Sequence, residues 1–131
     1  MTIRITVAHN DARLAATLAH LDAGAGSAAV QIYGGTKPDP ITATPSGPLL
    51  AEIALTKPAG AITSNMLTLS QAADGLIVAT GQATWARFVN GDGAVVMDAD
   101  CSDMAGSAEV RLVSTQLYAG GDARLASAVI G

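Results

Sequence analysis

A chain of 131 residues, half of them hydrophobic but only 3% aromatic, predicts a single domain over residues 1–131 with a core of Ala, Val, Leu and Ile side chains. Seven scattered Lys and Arg residues against eleven Asp and Glu give a net charge of −4, which argues against nucleic-acid and anionic-membrane partners. The single cysteine excludes an intrachain disulfide and suits folding in a reducing cytoplasm, and no apolar run reaches the roughly 20 residues of a membrane span.

The N-terminal part of the chain predicts a strand followed by the only helix. Residues 2–7 alternate between polar and apolar side chains, which is typical of a half-buried strand. Asn10 or Asp11 can then cap a helix by accepting a backbone N–H, and Gly24 and Gly26 can end it. The helix has one apolar stripe, formed by Leu14, Leu18 and Leu21.

The remainder of the chain predicts short strands separated by turns. Residues 34–48 hold four of the five prolines and are predicted to form a long ordered surface loop. About nine strands, counted with the N-terminal one, predict a mainly β fold: an antiparallel β-sandwich, jelly-roll-like, with one N-terminal α-helix. The further strands are expected at residues 28–33, 49–55, 66–70, 76–80, 82–89, 94–98, 108–113 and 124–130, with a short extended segment at 116–119.

A hairpin over residues 81–98 is the strongest local signal. Asn90-Gly91-Asp92-Gly93 accepts the positive φ angles of a tight turn between two β-rich runs. In the first run Trp85 and Arg87 share one face, and Phe88 lies on the other. Unless a bulge intervenes, one aromatic must therefore point away from the interior, and the helix is the expected cover for that face. We favour a core position for Trp85 over a binding role.

The sequence offers no constellation for catalysis. The two histidines stand eleven residues apart at positions 9 and 20, and Cys101 has no identifiable base, so a quiet, partly buried thiol is expected. Asp98 and Asp100 are separated by one residue, as carboxylate ligands in a calcium-binding loop are. However, Asp103 stands at the position where that loop needs a glycine, so we favour a role for these Asp residues in capping turns. We predict no catalytic, metal or cofactor site, and hence that the protein is not an enzyme.

Several structural motifs follow one another along the chain: Ile32-Tyr33-Gly34-Gly35-Thr36-Lys37-Pro38, Gly47-Pro48-Leu49-Leu50-Ala51-Glu52-Ile53, Gly81-Gln82-Ala83-Thr84-Trp85, Asn90-Gly91-Asp92-Gly93, Val95-Val96-Met97-Asp98 and Tyr118-Ala119-Gly120-Gly121. Their order resembles a family of small proteins encoded in the structural modules of tailed bacteriophages and prophages. The likeness covers about residues 10–130. Two departures stand out: Trp85-Ala86-Arg87-Phe88 replaces the more usual Trp-Phe-Arg, and Asp98-Ala99-Asp100 replaces Asp-Gly.

This resemblance implies a virion protein assembled in the cytoplasm of a host bacterium. The first expectation is a capsid decoration or cement protein. The second is a minor component of the tail or spike. Its partners would be the major capsid protein or tail proteins, together with further copies of itself as a homo-oligomer. Free strand edges and the Pro-rich loop suit such contacts. The residues predicted to make them are Thr36, Lys37, Pro38, Asp39 and Pro40 of the loop and Met1, Thr2 and Ile3 of the N-terminal arm.

A carbohydrate- or receptor-binding module of a phage spike, fibre or tail is the alternative. Such modules stack a sugar ring on an exposed aromatic side chain. Trp85 and Tyr118 are the two candidates for that stacking surface.

Overall fold

The helix begins earlier than the sequence predicts. The computed structural model describes residues 3–131, in which residues 3–6 form no strand and α1 spans Val7–Leu21. The strand predicted at residues 2–7 is therefore wrong over the described positions. Thr6, rather than Asn10 or Asp11, is the N-cap: its side chain accepts the His9 backbone N–H at 3.1 Å.

Eleven strands follow the helix in the described chain. The second is far longer than expected because it continues through Lys57 and Pro58, where a register shift between Leu55 and Gly60 accommodates the proline. The strands are β1 (Ala29–Tyr33), β2 (Leu49–Thr63), β3 (Met66–Gln71), β4 (Gly75–Ile77), β5 (Gly81–Gln82), β6 (Trp85–Val89), β7 (Val95–Ser102), β8 (Val110–Leu112), β9 (Gln116–Leu117), β10 (Asp122–Ala123) and β11 (Leu125–Ile130).

Seven of these strands close into a barrel. The hydrogen-bonded order is β1-β6-β7-β8-β11-β3-β2, and β2 pairs in turn with β1, so the ring has no open edge. All its pairs are antiparallel except β7 with β8. β4 and β10 extend the sheet beside β2, and β5 pairs with β9 separately.

The mainly β class and the N-terminal helix are confirmed, but the arrangement of strands differs from the expected jelly-roll sandwich. A sandwich needs two facing sheets with free edges, whereas β1 joins β2 to β6 and so closes one continuous sheet. The alternation of apolar residues along each strand is the same in both architectures. The sequence pattern therefore could not distinguish them.

The barrel interior is filled by aliphatic side chains and one aromatic ring. Val30 of β1 lies between Phe88 of β6 and Ile53 of β2, its partners in register, and all three side chains are fully buried. Ile32 faces the small residues Ala51 and Ala86 in the next layer. Alternating large and small residues fill a narrow barrel without voids.

Helix α1 adds its apolar stripe to this core along the β2–β3 hairpin. At its start Asp11 accepts the backbone N–H of Asn65 at 2.9 Å, and just beyond its end Asp22 accepts that of Ala59 at 2.9 Å. Leu14 and Leu21 are buried in the main cluster, and Leu18 packs against it. Within residues 3–131 we find no helix with the length and apolar character to cross a bilayer.

Candidate functional site

The longest segment without helix or strand in the described chain runs from residue 34 to residue 48, fifteen residues in all. We call it the clamped loop. Its ends lie side by side, because Tyr33 and Leu49 are paired across β1 and β2, and Gly34 donates its N–H to the Pro48 carbonyl at 3.2 Å. Connections of this length in a compact domain are usually functional or disordered. The contacts described next show that this loop is ordered.

Trp85 fixes the start of the clamped loop from the outer face of the barrel. It is 1% exposed and stacks on Tyr33, with ring centroids 4.5 Å apart and an interplanar angle of 11°. Its indole Nε1 donates to the Gly34 carbonyl at 3.2 Å. Trp85 is thus buried, as favoured, and lies opposite Phe88 on the strand. The segment that covers the Trp85 side chain is the clamped loop, however, and not the helix, which packs on β2 and β3.

Arg87 fixes the middle of the loop through a buried ion pair. Its Nε lies 2.8 Å from Oδ1 of Asp98 and its Nη2 lies 3.1 Å from Oδ2, while Nη2 also donates to the Ile41 carbonyl at 3.0 Å. The two side chains are only 8% and 9% exposed. The hydrogen bond to Asp98 raises the pKa of Arg87, although burial opposes that change. The guanidinium also lies over the Trp85 ring, 5.3 Å from its centroid.

Two exposed contacts complete the attachment. Thr84 donates its hydroxyl to the Gly35 carbonyl at 2.6 Å, and Lys37 forms an ion pair with Asp100 on β7. The Ala43 N–H also bonds the Pro40 carbonyl within the loop, at 2.9 Å. The loop therefore presents a fixed backbone to solvent.

The predicted contact residues of the loop all reach the surface. Thr36, Lys37, Asp39 and Pro40 are exposed, and Pro38 is half-buried. Beside them Ile41 leaves 42% of its side chain exposed, although its carbonyl is bound by Arg87. Of the N-terminal arm, Ile3 is 82% exposed, whereas Met1 and Thr2 lie outside the described residues.

The acidic residues of the hairpin do not gather into a cation site. Asp98 binds Arg87 and Asp100 binds Lys37, so two of them have cationic partners. Asp103 accepts the N–H groups of residues 105 and 106 at 3.0 and 3.1 Å, which is the expected turn capping. Between residues 3 and 131, no group of three or more His, Cys, Asp or Glu side chains is placed to hold a metal ion.

A second surface feature, which we call the Tyr118 groove, lies between β9 and β10. It has a volume of about 460 Å³ and an apolar floor that includes Ile77 and Leu117. Tyr118 is 66% exposed on its edge, so it offers the aromatic face that the buried Trp85 does not. On the rim, Arg124 and Asp74 form an ion pair at 3.0 Å.

The electrostatics of that rim follow from the same pair. The hydrogen bond from Arg124, helped by one from Gln71, lowers the pKa of Asp74, and the bond to Asp74 raises the pKa of Arg124. Both groups therefore stay charged over the ordinary pH range and give the groove a polar edge.

Cys101 behaves as an inert thiol. It lies partly buried on β7, and burial raises its pKa from 9.0 to about 12. Because the thiolate is the reactive species, a thiol with this pKa is a poor nucleophile at neutral pH. This agrees with the prediction of a quiet, partly buried side chain.

The buried Arg87–Asp98 pair was missed by the sequence reasoning. Continuing the pairing of Val89 with Val95 in simple register would place Arg87 opposite Met97. A bulge after Phe88 shifts the register by one residue and brings Asp98 opposite Arg87. A search for opposite charges at both possible registers would have found the pair.

Three comparisons of the chain with known proteins were negative. No protein-family model, curated protein or solved structure matches it. The phage resemblance therefore stays a prediction.

Proposed function

We propose that the chain is a non-enzymatic structural protein of a tailed-phage particle, a capsid decoration or cement protein that attaches through the clamped loop and acts as several copies. The observation that carries this proposal is the buried Arg87–Asp98 pair, which fixes an otherwise irregular loop at the barrel surface.

The physical argument is preorganisation. A flexible loop loses conformational entropy when a partner orders it, at about 1–2 kcal/mol per residue for the backbone. Here Gly34, Gly35 and Ile41 are already held by side chains of β6 and its preceding turn. A surface that is rigid before binding retains more of its contact energy in the complex.

The surface chemistry also suits a protein partner. Ile41 and the prolines of the loop tip offer apolar contact area, and Thr36 and Thr42 add hydroxyl groups beside them. Weak contacts of this kind suffice for a shell protein, since many linked copies bind with far higher avidity than one.

The resemblance to phage structural proteins supplies the identity of the partner. The motif Ile32-Tyr33-Gly34-Gly35-Thr36-Lys37-Pro38 spans the end of β1 and the start of the clamped loop. One of the motifs that carry the likeness therefore overlaps the start of the loop that we propose as the attachment surface.

Incorporation into particles tests the proposal. The variant T42R/T44R places two arginines on exposed loop positions whose side chains have no hydrogen-bond partner among the described residues. Particles are purified after prophage induction from the bacterium that carries either the wild-type gene or the variant gene. Particles from the first should contain the chain, and particles from the second should lack it.

A matched control separates surface chemistry from stability. T68R/S70R adds the same charge at exposed positions of β3, away from the loop. It should enter particles as the wild type does. Equal incorporation of both variants, with unchanged thermal unfolding, would show that the loop is not the attachment surface.

Deleting residues 36–44 gives a stronger form of the test. Six loop residues remain, enough to join the paired ends Tyr33 and Leu49 as a hairpin connection. We expect a folded barrel that no longer joins the particle. Circular dichroism shows whether the barrel is retained before binding is measured.

Carbohydrate binding is a second candidate function, favoured by the exposure of Tyr118. Its ring borders a groove of about 460 Å³ that also holds Gln116, Asp122 and Arg124 as hydrogen-bonding groups. Protein sites for small ligands commonly combine an aromatic face with a few polar groups. Glycan binding lost in Tyr118→Ala but retained in Trp85→Phe would support it, and a silent glycan array would oppose it.

A further inference from the structure

Two apolar features of the described chain lack a partner, and they fit one another. The first is the arm, residues 3–6, which leads into α1 and has no regular structure. Ile3 is 82% exposed, Ile5 39% and Val7, at the start of α1, 49%. The second is the Tyr118 groove, where Val113 is 54% and Tyr118 66% exposed. Apolar exposure concentrated in this way marks contact surfaces.

We propose that the arm of one copy binds in the Tyr118 groove of a second copy of this chain, an inference that rests on the proposed assembly function. The groove lies between β9 and β10, and each of these strands has a strand partner on one side only. The unpaired side of β10 can take an extended segment by strand addition, whereas on β9 the Gln116 carbonyl already accepts the Ser114 hydroxyl. A short extended arm satisfies this geometry, whereas a sugar ring does not.

The arm also matches the groove in side-chain pattern and charge. In an extended segment Ile3 and Ile5 face the same side, and Ile77 and Leu117 lie on the floor of the groove. Arg4 lies on the opposite face of the extended arm from the two isoleucines, toward the exposed rim that holds Asp122. Neither Arg4 nor Asp122 has an ion-pair partner among residues 3–131. Arg124 forms its ion pair with Asp74, and although the charge of Asp122 also acts on Arg124, the Asp122 carboxylate forms no ion pair of its own and can pair with Arg4.

Chain length shows that the groove must belong to another copy. The helix start is held at the β2–β3 turn by two hydrogen bonds to Asn65, one with Asp11 and one with Asn10. The groove rim, by contrast, begins at Asp74, beside Gln71 at the far end of β3. The six residues of β3 span about 17 Å from first to last at roughly 3.3 Å per residue. From Val7 back to Ile3 the chain reaches only about 14 Å when fully extended.

The contact that results is head to tail. Arm and groove are different patches, so each copy gives its arm to one neighbour and receives the arm of another. Such heterologous contacts close into rings or continue as filaments. A ring around a symmetry axis of a shell is an assembly unit of the kind that a decoration protein needs.

Sedimentation velocity on three variants tests this arrangement. I3D/I5D disables the arm and V113D/Y118D disables the groove, both at exposed positions that the fold does not need. M104D is the matched control, because Met104 is 64% exposed and belongs to neither feature. Wild type and M104D should form oligomers, whereas the arm variant and the groove variant should each sediment as monomers, with self-association weakened at least tenfold.

Mixing supplies the decisive readout. The arm variant retains a groove and the groove variant retains an arm, so an equimolar mixture should form a one-to-one dimer and nothing larger. A charge exchange, Arg4→Asp with Asp122→Arg, should restore the association that either single change weakens.

Three results would overturn the inference: a wild type that stays monomeric at every concentration, an oligomer that both variants retain, or a mixture that stays monomeric. Glycan binding at Tyr118 with no effect of the arm variant on assembly would assign the groove to sugars instead. None of these results decides whether the clamped loop attaches the chain to particles, since the loop variants measure that separately.

Discussion

Removing the buried cation at position 87 should release the clamped loop at a large cost in stability. Arg87→Met retains an apolar stem beside Trp85 but deletes three hydrogen bonds, two to Asp98 and one to the Ile41 carbonyl. It leaves the Asp98 carboxylate, 9% exposed, without its counter-ion. Breaking a buried pair by removing one partner costs about 3–5 kcal/mol. We expect a loss of this size, out of a total stability of roughly 5–15 kcal/mol.

The exposed Lys37–Asp100 pair provides the internal comparison. Its side chains are 42% and 61% exposed, so solvent screens the attraction and the pair contributes about 0–1 kcal/mol. Lys37→Met should therefore change the free energy of unfolding far less than Arg87→Met. The double variant Arg87→Met with Asp98→Asn should recover part of the loss, because it leaves no buried charge unpaired.

Urea unfolding followed by tryptophan fluorescence measures these effects at the site itself, since Trp85 is the only tryptophan. Acrylamide quenching of the native state gives an independent readout. If Arg87→Met releases the clamped loop, the Trp85 indole should become more accessible to the quencher. If Arg87→Met costs no more than Lys37→Met, the ion pair does not hold the loop, and the preorganisation argument fails.

Three smaller predictions concern single positions. Measured by NMR, the pKa of the Asp74 carboxyl should lie below its usual 3.8 and return toward that value in Arg124→Gln. A carboxyl whose pKa is lower in the folded than in the unfolded protein stabilises the fold at pH values above the unfolded pKa. The difference in free energy of unfolding between the two proteins should therefore vanish as the pH falls through the folded pKa of Asp74. Because burial raises the pKa of Cys101 from 9.0 to about 12, its thiol should react with iodoacetamide at least about tenfold more slowly in the native than in the unfolded protein, and equal rates would contradict its burial. Gly47→Ala should destabilise the loop base, because a Cβ there would meet the Gly34 carbonyl; an unchanged melting temperature would refute that close approach.

Local signals predicted much of the secondary structure. The turn at residues 90–93 does join two strands, and β1, β3 and β11 lie within a residue of their expected limits. These signals are short-range: glycine and asparagine in the turn, and alternation along each strand. The helix start was wrong because both Thr6 and Asn10 are good N-caps, and the chain contains no local preference strong enough to choose between them.

What the sequence could not predict depends on contacts between distant segments. Closure of the barrel requires β1 to pair with both β2 and β6, and each of those pairings separately is also compatible with a sandwich. The burial of Trp85 was expected, but its cover was misassigned, since nothing local shows that residues 34–48 fold back across the outer face of β6. Exposure of Tyr118 likewise depends on how β9 and β10 separate.

The copy number of the chain in purified particles tests the central claim most directly. Quantitative mass spectrometry of particles from the bacterium that carries the gene should find the chain in a fixed ratio to the major capsid or tail subunit. The ratio should stay unchanged through repeated purification and be lost in the T42R/T44R variant. Intact particles that contain none of the chain, produced by cells that express it, would contradict the proposal that it is a structural component of the virion.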